Sequence, residues 1–495
     1  LDIIDNIKIK TIYGNLPESV NNISQDSRKV GEGDVFVAIK GYTVDGHNYI
    51  EKVIEQGAAL VIASRYDNYN VENCAVIVIK EHEIEKIASM IAKKINEGSD
   101  VHTVAVTGTN GKTSISTLVH NMLRTLGESS AYIGTNGFGK NDAEPVYFGN
   151  TTPDVVTLHN QIGELRRDNI KNLAFEASSH AMVLGRIYNV DIDVAIFTNL
   201  THEHLDFHGD MQTYAYDKSL LFSTLGNNLS DAKYGVLNKD DSYYKVISKC
   251  LYQQEINYSI VDETADFYAY NIKQYKEDKV YKTSFTLNSP EGTFECTTNY
   301  IGDFMVSNVL AALIAVWIKG YSVEQLVAIL PKLGALYGRM EILGDDLPID
   351  IISDFAHTPD GYEKLLEATR EIRKGKRTLL VTGMGGGRDI SKGPLIGEII
   401  SEADYVVITT DSPRDEDVEV LMGSIEKGMT HKNYEKVWFR TDAVKRIIEL
   451  SAPGDVVILA SKGREDYEIL QGGKKVWHSD PIVAVEEAKK KFNIK

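Results

Sequence analysis

The apolar residues of the N-terminal segment fall into short continuous runs followed by a stretch with helical spacing. The runs predict three buried strands, at Gly33–Gly41, Ala59–Ser64 and Cys74–Lys80. Lys86–Ser99 has helical apolar spacing and ends beside Gly98, where a helix exit and a linker are expected. Residues 1–99 are therefore predicted to form a small α/β domain.

A second α/β unit begins where an apolar strand enters a glycine-rich turn after Val101. Further strands are predicted at Ala131–Thr135, Asn172–Ser179 and Asp191–Leu200. Helical patterns lie between them, an order of elements typical of parallel β-α-β winding. Residues 232–300 alternate aromatic residues and threonines, which predicts antiparallel additions to this sheet. Ile301–Gly320 predicts a strongly apolar helix with a glycine stop. These elements predict a central domain over residues 100–331.

A third unit, predicted over residues 332–495, contains three strands that each run into a loop of small or charged residues. These segments are Arg377–Asp389, Ala403–Asp411 and Gly454–Gly463. In open α/β sheets, ligand sites lie at the carboxyl ends of strands. The chain is therefore predicted to be an α/β protein of three domains, with a central parallel sheet and a Rossmann-like C-terminal domain.

Composition narrows the classes of function. The chain has 495 residues, 43% hydrophobic and 25% charged, and a formal net charge of −18. That charge argues against nucleic-acid or anionic-membrane binding, because both need a basic surface. No apolar run approaches the length of a membrane span. The three cysteines form no CxxC pair, which excludes a zinc ribbon and favours a reducing cytoplasm.

The segment VAVTGTNGKTSIST, Val104–Thr117, resembles a phosphate-binding loop between a strand and a helix. Val106 stands where the usual pattern has its first glycine, and we interpret it as part of the strand. Glycines in the loop turn backbone N–H groups toward a phosphate, and the helix N-terminus favours negative charge. Lys112 is predicted to reach the β- and γ-phosphates, and the Thr113 hydroxyl to bind Mg²⁺. The predicted loop consists of Gly108, Thr109, Asn110, Gly111, Lys112, Thr113 and Ser114.

Three further positions favour a metal-assisted nucleotide site. Glu176 follows an apolar strand, where Mg²⁺–ATP sites place a carboxylate. The segment TNLTHEHLDFHGD carries three histidines. Their spacing resembles that of metal-binding histidines, so a metallo-hydrolase is an alternative function. We instead predict that one histidine is functional and that the others cap helices or form hydrogen bonds. Lys218 lies in an otherwise apolar helix, and a desolvated lysine shifts toward its neutral, reactive form.

Several motifs occur in the order in which the Mur ligase family has them, from DSRKVGEGDVFVAIKG near the N-terminus to ASKGREDYEIL near the C-terminus. The others are TGTNGKTS, NTTPD, EASSHAMVLGR, TNLTHEHLDFHG, DKSLLF, SNVLAAL, GRME and DFAHTPDG. The whole chain thus resembles Mur ligases, most closely the MurE branch, which adds the third residue of the bacterial peptidoglycan stem peptide.

The resemblance implies ATP-dependent amide-bond formation by a bacterial cytoplasmic enzyme. ATP would phosphorylate the D-glutamate side chain of UDP-MurNAc-L-Ala-D-Glu, and the α-amine of a diamino acid would attack the acyl phosphate. It implies Lys112, Lys218, His204 and Glu176 as catalytic groups, and Mg²⁺ ligands at Thr113, Glu176, His204 and a carbamylated Lys218. Adenosine contacts would come from Asn308, Arg339, Asp354 and His357. We expect small-molecule partners only, and a monomer.

The resemblance also assigns the other two substrates. UDP-sugar contacts are expected from Ser27, Asn150, Thr151, Thr152, Ser178 and Arg186, since hydroxyls and arginine suit a diphosphate sugar. Leu184 replaces a glutamine of some relatives, which removes one hydrogen-bonding group. Amino-acid contacts are expected from Arg388, Asp411, Ser412, Pro413, Arg414, Ser461 and Glu465.

The identity of the added amino acid is the open point. Relatives that add meso-diaminopimelate carry DNPR, whose arginine binds the distal carboxylate, and this chain has DSPR, Asp411–Arg414. The SKGRE segment, Ser461–Glu465, instead resembles the L-lysine enzymes. Because an unpaired arginine would repel a lysine ammonium, we favour meso-diaminopimelate, with L-lysine as the alternative. Three acids, Asp415, Glu416 and Asp417, directly follow Arg414 in the sequence. If they neutralise Arg414, it no longer repels a lysine ammonium, and L-lysine becomes the expected substrate.

More distant alternatives are a folylpolyglutamate synthetase-like ligase and a non-catalytic nucleotide-binding subunit. The first would share GTNGKT but lack the N-terminal domain. The second usually carries a four-cysteine zinc ribbon, which this sequence does not contain.

Overall fold

Three large β-sheets follow one another along the chain, with a two-stranded ribbon near the C-terminus. A computed structural model describes residues 2–41, 44–226, 232–278, 280–387 and 389–494. The mixed α/β architecture with one sheet per predicted domain agrees with the sequence. Arg388, predicted to bind the amino acid, lies outside the described residues.

The N-terminal sheet has five strands in the order β1-β5-β4-β3-β2, parallel except for the β1–β5 pair. Every residue of β3 and β4 is buried or nearly so, as expected for parallel strands covered on both faces. The strands are Thr11–Tyr13 (β1), Ile23–Ser24 (β2), Val35–Val37 (β3), Leu60–Ala63 (β4) and Ala75–Val78 (β5). The helices are Asp2–Asn6 (α1), Ile50–Glu55 (α2) and Ile84–Ile95 (α3).

The central sheet has ten strands in the order β15-β14-β13-β12-β11-β10-β6-β9-β7-β8. The run from β13 to β7 is parallel, whereas β8, β14 and β15 pair antiparallel. The strands are His102–Thr107 (β6), Ser130–Gly134 (β7), Gly137–Lys140 (β8), Asn172–Glu176 (β9), Val194–Phe197 (β10), Tyr234–Asn238 (β11), Gln254–Ser259 (β12), Phe267–Glu277 (β13), Val280–Ser289 (β14) and Gly292–Thr298 (β15).

Helices cover both faces of the central sheet. One core joins α4 and α10 to it, and the other joins α5 and α8. The helices are Lys112–Thr125 (α4), Val155–Arg167 (α5), Ser179–Val183 (α6), Leu205–His208 (α7), Met211–Ser223 (α8), Tyr244–Ser248 (α9), Asp303–Ile318 (α10) and Val323–Ile329 (α11). Within the described ranges, none of the helices combines the length and hydrophobicity that crossing a bilayer takes.

Residues 232–300 were predicted to form antiparallel strands, and this prediction was wrong for the strands at the start of that range. β11 and β12 extend the parallel sheet, and only β14 and β15 run antiparallel beyond β13. β12 is only partly buried at most positions because it lies toward the end of the parallel run, so its sequence has the half-polar pattern of an antiparallel strand.

The C-terminal sheet has six strands in the order β16-β17-β21-β18-β19-β20, parallel except for the β16–β17 pair. The strands are Glu341–Leu343 (β16), Asp350–Ser353 (β17), Thr378–Met384 (β18), Tyr405–Thr410 (β19), Tyr434–Lys436 (β20) and Val456–Leu459 (β21), with Tyr467–Ile469 (β22) and Lys475–Trp477 (β23) forming the ribbon. The helices are Pro359–Ala368 (α12), Arg370–Arg373 (α13), Gly393–Ile400 (α14), Val418–Glu426 (α15), Arg440–Leu450 (α16) and Asp480–Phe492 (α17). The predicted strands β18, β19 and β21 are confirmed.

Candidate active site

A cavity of about 1070 Å³ lies where the carboxyl ends of the central and C-terminal parallel strands face each other. Most predicted site residues line it: Thr109, Asn110, Gly111, Lys112, Thr113, Ser114, Asn150, Thr151, Thr152, Glu176, Ser178, Arg186, His204, Asn308, Arg339, Asp354, His357, Asp411, Ser412, Arg414, Ser461 and Glu465. Gly108, Lys218 and Pro413 are not lining residues but adjoin them: Lys218 Nζ donates to the Gly108 carbonyl, and Pro413 stands between Ser412 and Arg414. Ser27 is in the N-terminal unit, and the structure does not bring it to this cavity.

The loop between β6 and α4 has a backbone that two glycines make possible. Gly108 has φ +150°, and a Cβ there would lie 1.7 Å from the Thr198 Oγ1 atom. Gly111 has φ +89°, and its Cβ would lie 2.8 Å from Asn308 Oδ1. Val106 is fully buried inside β6. The interpretation of Val106 as a strand residue is therefore confirmed, and the anion-binding turn starts after it.

The segment after β10 braces this loop, and the sequence analysis missed its role. Thr198 Oγ1 donates to the Asn110 carbonyl at 2.6 Å, and the Asn110 N–H donates to Asn199 Oδ1 at 2.9 Å. The Thr109 N–H also donates to the Asn199 carbonyl at 2.8 Å. The signal available was the small polar pair Thr-Asn directly after an apolar strand, at the same sheet edge as the loop.

Two lysines converge on one carbonyl oxygen. Lys112 Nζ donates to the carbonyls of Gly108 at 2.9 Å and Thr109 at 2.8 Å, and Lys218 Nζ donates to that of Gly108 at 2.8 Å. Lys218 is buried, and burial, with the nearby Lys112 charge, lowers its pKa far below the ordinary value. Burial also lowers the pKa of Lys112, opposed by Glu176. Lys218 is thus a desolvated amine rather than a surface lysine.

Oxygen donors gather beside these lysines. Glu176 is buried, its Oε1 accepts the Thr135 N–H at 2.8 Å, and a Cβ on Gly134 would lie 2.1 Å from that oxygen. Thr113 Oγ1 accepts from Arg339 at 3.1 Å. A carboxylate and a hydroxyl next to a phosphate loop fit Mg²⁺, which binds proteins through one or two carboxylates and completes its shell with phosphates and water.

The segment with His202, His204 and His208 does not form the metal centre of a hydrolase. His208 is buried, with Nδ1 2.6 Å from Asp217 Oδ2 and Nε2 2.9 Å from Ser179 Oγ. His204 lines the cavity with φ +57°, 5.0 Å from the His180 ring. Among the described residues, no three His, Cys, Asp or Glu side chains form a metal-ligand group. The structure thus gives no support to the metallo-hydrolase alternative, and His208 has the predicted hydrogen-bonding role.

The nucleotide-side residues join the central and C-terminal units. The Arg339 guanidinium lies 4.5 Å from the centre of the Phe355 ring. Asp354 accepts the N–H groups of Met340 and Ala356, each at 2.7 Å, while burial raises the pKa of its carboxyl. Asn110 Nδ2 donates to Asp360 Oδ2 at 2.7 Å. Asp360, at the start of α12, is a second contact that sequence reasoning missed.

Four of the residues predicted to bind the UDP-sugar, Thr151, Thr152, Ser178 and Arg186, lie beside Glu176 and are joined to it by hydrogen bonds. Thr152 Oγ1 donates to the Glu176 carbonyl at 2.7 Å and accepts the Ser178 N–H at 3.1 Å. Arg186 donates to the Thr152 carbonyl at 3.0 Å. The Thr151 and Thr135 hydroxyls lie 3.2 Å apart, which links this network to the Glu176 carboxylate.

The amino-acid end contains a lysine that the sequence analysis missed. Lys462 is fully buried, and its Nζ lies 2.9 Å from Asp411 Oδ1 and 3.3 Å from Glu465 Oε2. Burial lowers the pKa of Lys462, but the two carboxylates outweigh that effect and raise it. Burial, followed by the charge of Asp411, raises the pKa of Glu465. Only the SKGRE resemblance pointed to this segment, and it did not single out the lysine.

Arg414 lines the cavity and also makes contacts within the protein. It has φ +53°, its NH1 donates to the Gly386 carbonyl, and its N–H donates to the Ile469 carbonyl at 2.9 Å. The neighbouring acids bind backbone amides: Glu416 accepts from Gly387 at 2.7 Å and Asp415 from Gly472 at 2.8 Å. Arg414 therefore holds the loop after β18, an arrangement that the DSPR pattern did not predict.

Three family models match the chain in order: Mur ligase family, catalytic domain over residues 19–98, Mur ligase middle domain over 106–316, and Mur ligase, glutamate ligase domain over 338–463. A UDP-N-acetylmuramoyl-L-alanyl-D-glutamate–L-lysine ligase of Staphylococcus haemolyticus is 42% identical, covering 99% of this chain and 98% of its own. One of Staphylococcus aureus is also 42% identical, with 98% and 97% covered. A solved UDP-N-acetylmuramoyl-L-alanyl-D-glutamate–2,6-diaminopimelate ligase has 28% identity and a TM-score of 0.65, covering 96% and 95%.

Proposed function

The chain belongs to the Mur ligase family, and on that premise we propose that it joins L-lysine to the D-glutamate of UDP-MurNAc-L-Ala-D-Glu. Membership makes it an ATP-dependent ligase of an acid and an amino acid, acting on small molecules in peptidoglycan synthesis. The observation that supports the proposal most is the single cavity, which carries the phosphate loop at one end and the Asp411–Glu465 carboxylates at the other.

The loop Gly108–Ser114 is proposed to hold the ATP phosphates, with Lys112 neutralising charge as the γ-phosphoryl passes to the D-glutamate carboxylate. Thr113, Glu176, His204 and, once carbamylated, Lys218 are proposed to hold Mg²⁺, which would offset the charge of the phosphates. Lys218 is a candidate for carbamylation, since burial lowers the pKa of its amine and the unprotonated nitrogen can add to carbon dioxide with loss of a proton. Asn308, Arg339, Asp354 and His357 are proposed contacts of the nucleoside.

The Thr152–Ser178–Arg186 network, with Asn150 and Thr151, is proposed to bind the UDP-sugar beside Glu176. Ser27, which lies away from the cavity, is proposed to bind the far, uridine end of the same substrate. The proposed domains are residues 1–99, 100–331 and 332–495, one for each sheet. A monomeric state and a cytoplasmic location stay predictions.

L-Lysine replaces our initial preference for meso-diaminopimelate. Relatives from Staphylococcus haemolyticus and Staphylococcus aureus that match almost the whole chain at 42% identity are named L-lysine ligases, whereas the diaminopimelate ligase is 28% identical. Arg414 keeps its positive charge at the cavity wall, where its NH1 donates to the Gly386 carbonyl, so the relatives carry this choice. Asp411 and Glu465 remain at the cavity wall as partners for an ammonium group.

This proposal is tested by measuring the rate of ADP release. L-Lysine, meso-diaminopimelate and L-ornithine are each supplied with and without the UDP-muramyl dipeptide. We expect turnover that requires the dipeptide, with kcat/KM for L-lysine at least about tenfold above that for meso-diaminopimelate, since an unmatched buried carboxylate costs 1.4 kcal/mol or more. Equal or better use of meso-diaminopimelate contradicts the choice of amino acid. ADP release that ignores the dipeptide contradicts the ligase itself.

A further inference from the structure

Lys462 is an unusual neighbour for a site that receives a cation. The two carboxylates that it bridges line the cavity, whereas Lys462 itself lies behind them with a fully buried side chain. Its ammonium thus occupies the protein side of the Asp411–Glu465 pair, and the cavity side faces the incoming amino acid.

The contacts of Lys462 use one oxygen of each acid. Its Nζ lies 2.9 Å from Oδ1 of Asp411 and 3.3 Å from Oε2 of Glu465. Within the described part of the chain, no residue donates a hydrogen bond to Oδ2 of Asp411 or to Oε1 of Glu465. Each acid therefore keeps an acceptor for a ligand while Lys462 holds the other.

A buried frame fixes the backbone from which Lys462 projects. Ser461, two residues after the end of β21, has φ +81°, a conformation that costs free energy for any residue with a side chain. Arg440, which has no exposed surface, donates to Ser461 Oγ at 2.9 Å and to the Ala460 carbonyl at 2.6 Å. Arg440 is itself paired with the buried Asp480. The frame keeps the ammonium in place.

We infer that Lys462 is a specificity-determining positioning residue, a built-in cation that sets the charge of the amino-acid pocket and fixes its two carboxylates. Two neighbouring, partly buried carboxylates alone would repel each other and favour protonation of one. With Lys462 between them, the Asp411–Lys462–Glu465 cluster carries a single net negative charge, which one side-chain ammonium neutralises. This inference rests on the proposed function, because it names what selects the substrate's side chain.

The test uses Lys462→Ala, which removes the ammonium and leaves space for a small alkylammonium ion. We expect the KM for L-lysine to rise about tenfold or more, because removing one partner leaves uncompensated buried charge. The KM values for ATP and for the UDP-muramyl dipeptide should stay within about twofold. Propylammonium should restore the KM for L-lysine, and 1-propanol, which has the same shape without the charge, should not.

Lys474→Ala is the matched control, since Lys474 is an exposed lysine of the same unit. Any of three results overturns the inference: an unchanged KM for L-lysine in Lys462→Ala, an equal rise in all three KM values, or equal rescue by 1-propanol. Thermal unfolding gives a readout independent of turnover: propylammonium, and not 1-propanol, should raise the melting temperature of Lys462→Ala alone. Wild-type protein that turns over no diamino acid overturns the proposed function instead, while the thermal measurement still decides the role of Lys462.

Discussion

At the scale of single residues, the site depends on positions where only one side chain, or none, fits. Gly108 is the clearest, because its φ of +150° and the Thr198 hydroxyl together exclude a Cβ atom. The sequence pattern identified this loop, since strand, glycine, lysine and helix are adjacent in the chain. It did not identify Thr198 as the brace, because the two residues meet only when β6 and β10 pair.

Gly108→Ala is expected to push Thr198 away and break its hydrogen bond to the Asn110 carbonyl, which distorts the phosphate loop. We expect the KM for ATP to rise about tenfold or more, in line with the loss of a well-placed hydrogen-bonding loop. Gly127→Ala is the control, because Gly127 also has a positive φ, of +87°, but a Cβ there meets no atom within 4 Å. Equal effects of the two variants on the KM for ATP would show that φ strain, and not the Thr198 contact, matters.

At the scale of elements, apolar runs predicted the strands that both faces of a sheet bury, such as β4, β6 and β21. They misjudged β12, whose partly exposed residues carry no signal for the direction of pairing. Helix α4 begins at Lys112, directly after Gly111, so the glycine-rich turn leads straight into the helix. That start brings the helix N-terminus to the phosphate loop.

Helix α4 also makes the central unit sensitive to acid. His120 is buried against Ser130 and the Asn141 carbonyl, and burial lowers its pKa from 6.5 to about 4. Between those values the unfolded chain binds a proton that the folded chain does not, so the free energy of unfolding falls as the pH falls from 6.5 to 4.

Chemical denaturation at several pH values checks this point. His120→Gln should flatten the dependence of the unfolding free energy on pH across this window, by at most about 1.4 kcal/mol per pH unit. His82→Gln, at an exposed histidine, should leave that dependence unchanged. A slope that is the same in His120→Gln and in wild type would mean that His120 titrates alike in both states.

At the scale of the whole molecule, function depends on contacts between units that are far apart in the chain. Asp350 accepts from Tyr281 at 2.9 Å and from Lys376 at 2.6 Å, which ties the β13–β14 hairpin to the C-terminal sheet. Such pairings carry no sequence signal. The same holds for Lys462 and Asp411, which are 51 positions apart. The family resemblance indicated the substrates, and the fold brought Lys462 between Asp411 and Glu465.

The most direct test of the ligase mechanism follows oxygen from one substrate to another. The dipeptide is prepared with both oxygens of the D-glutamate side-chain carboxylate labelled with ¹⁸O and is turned over with ATP and L-lysine. Acyl-phosphate formation predicts one ¹⁸O in each released phosphate and one in the new amide, both read by mass spectrometry. Phosphate without ¹⁸O, alongside formation of the L-lysine product, would contradict the account.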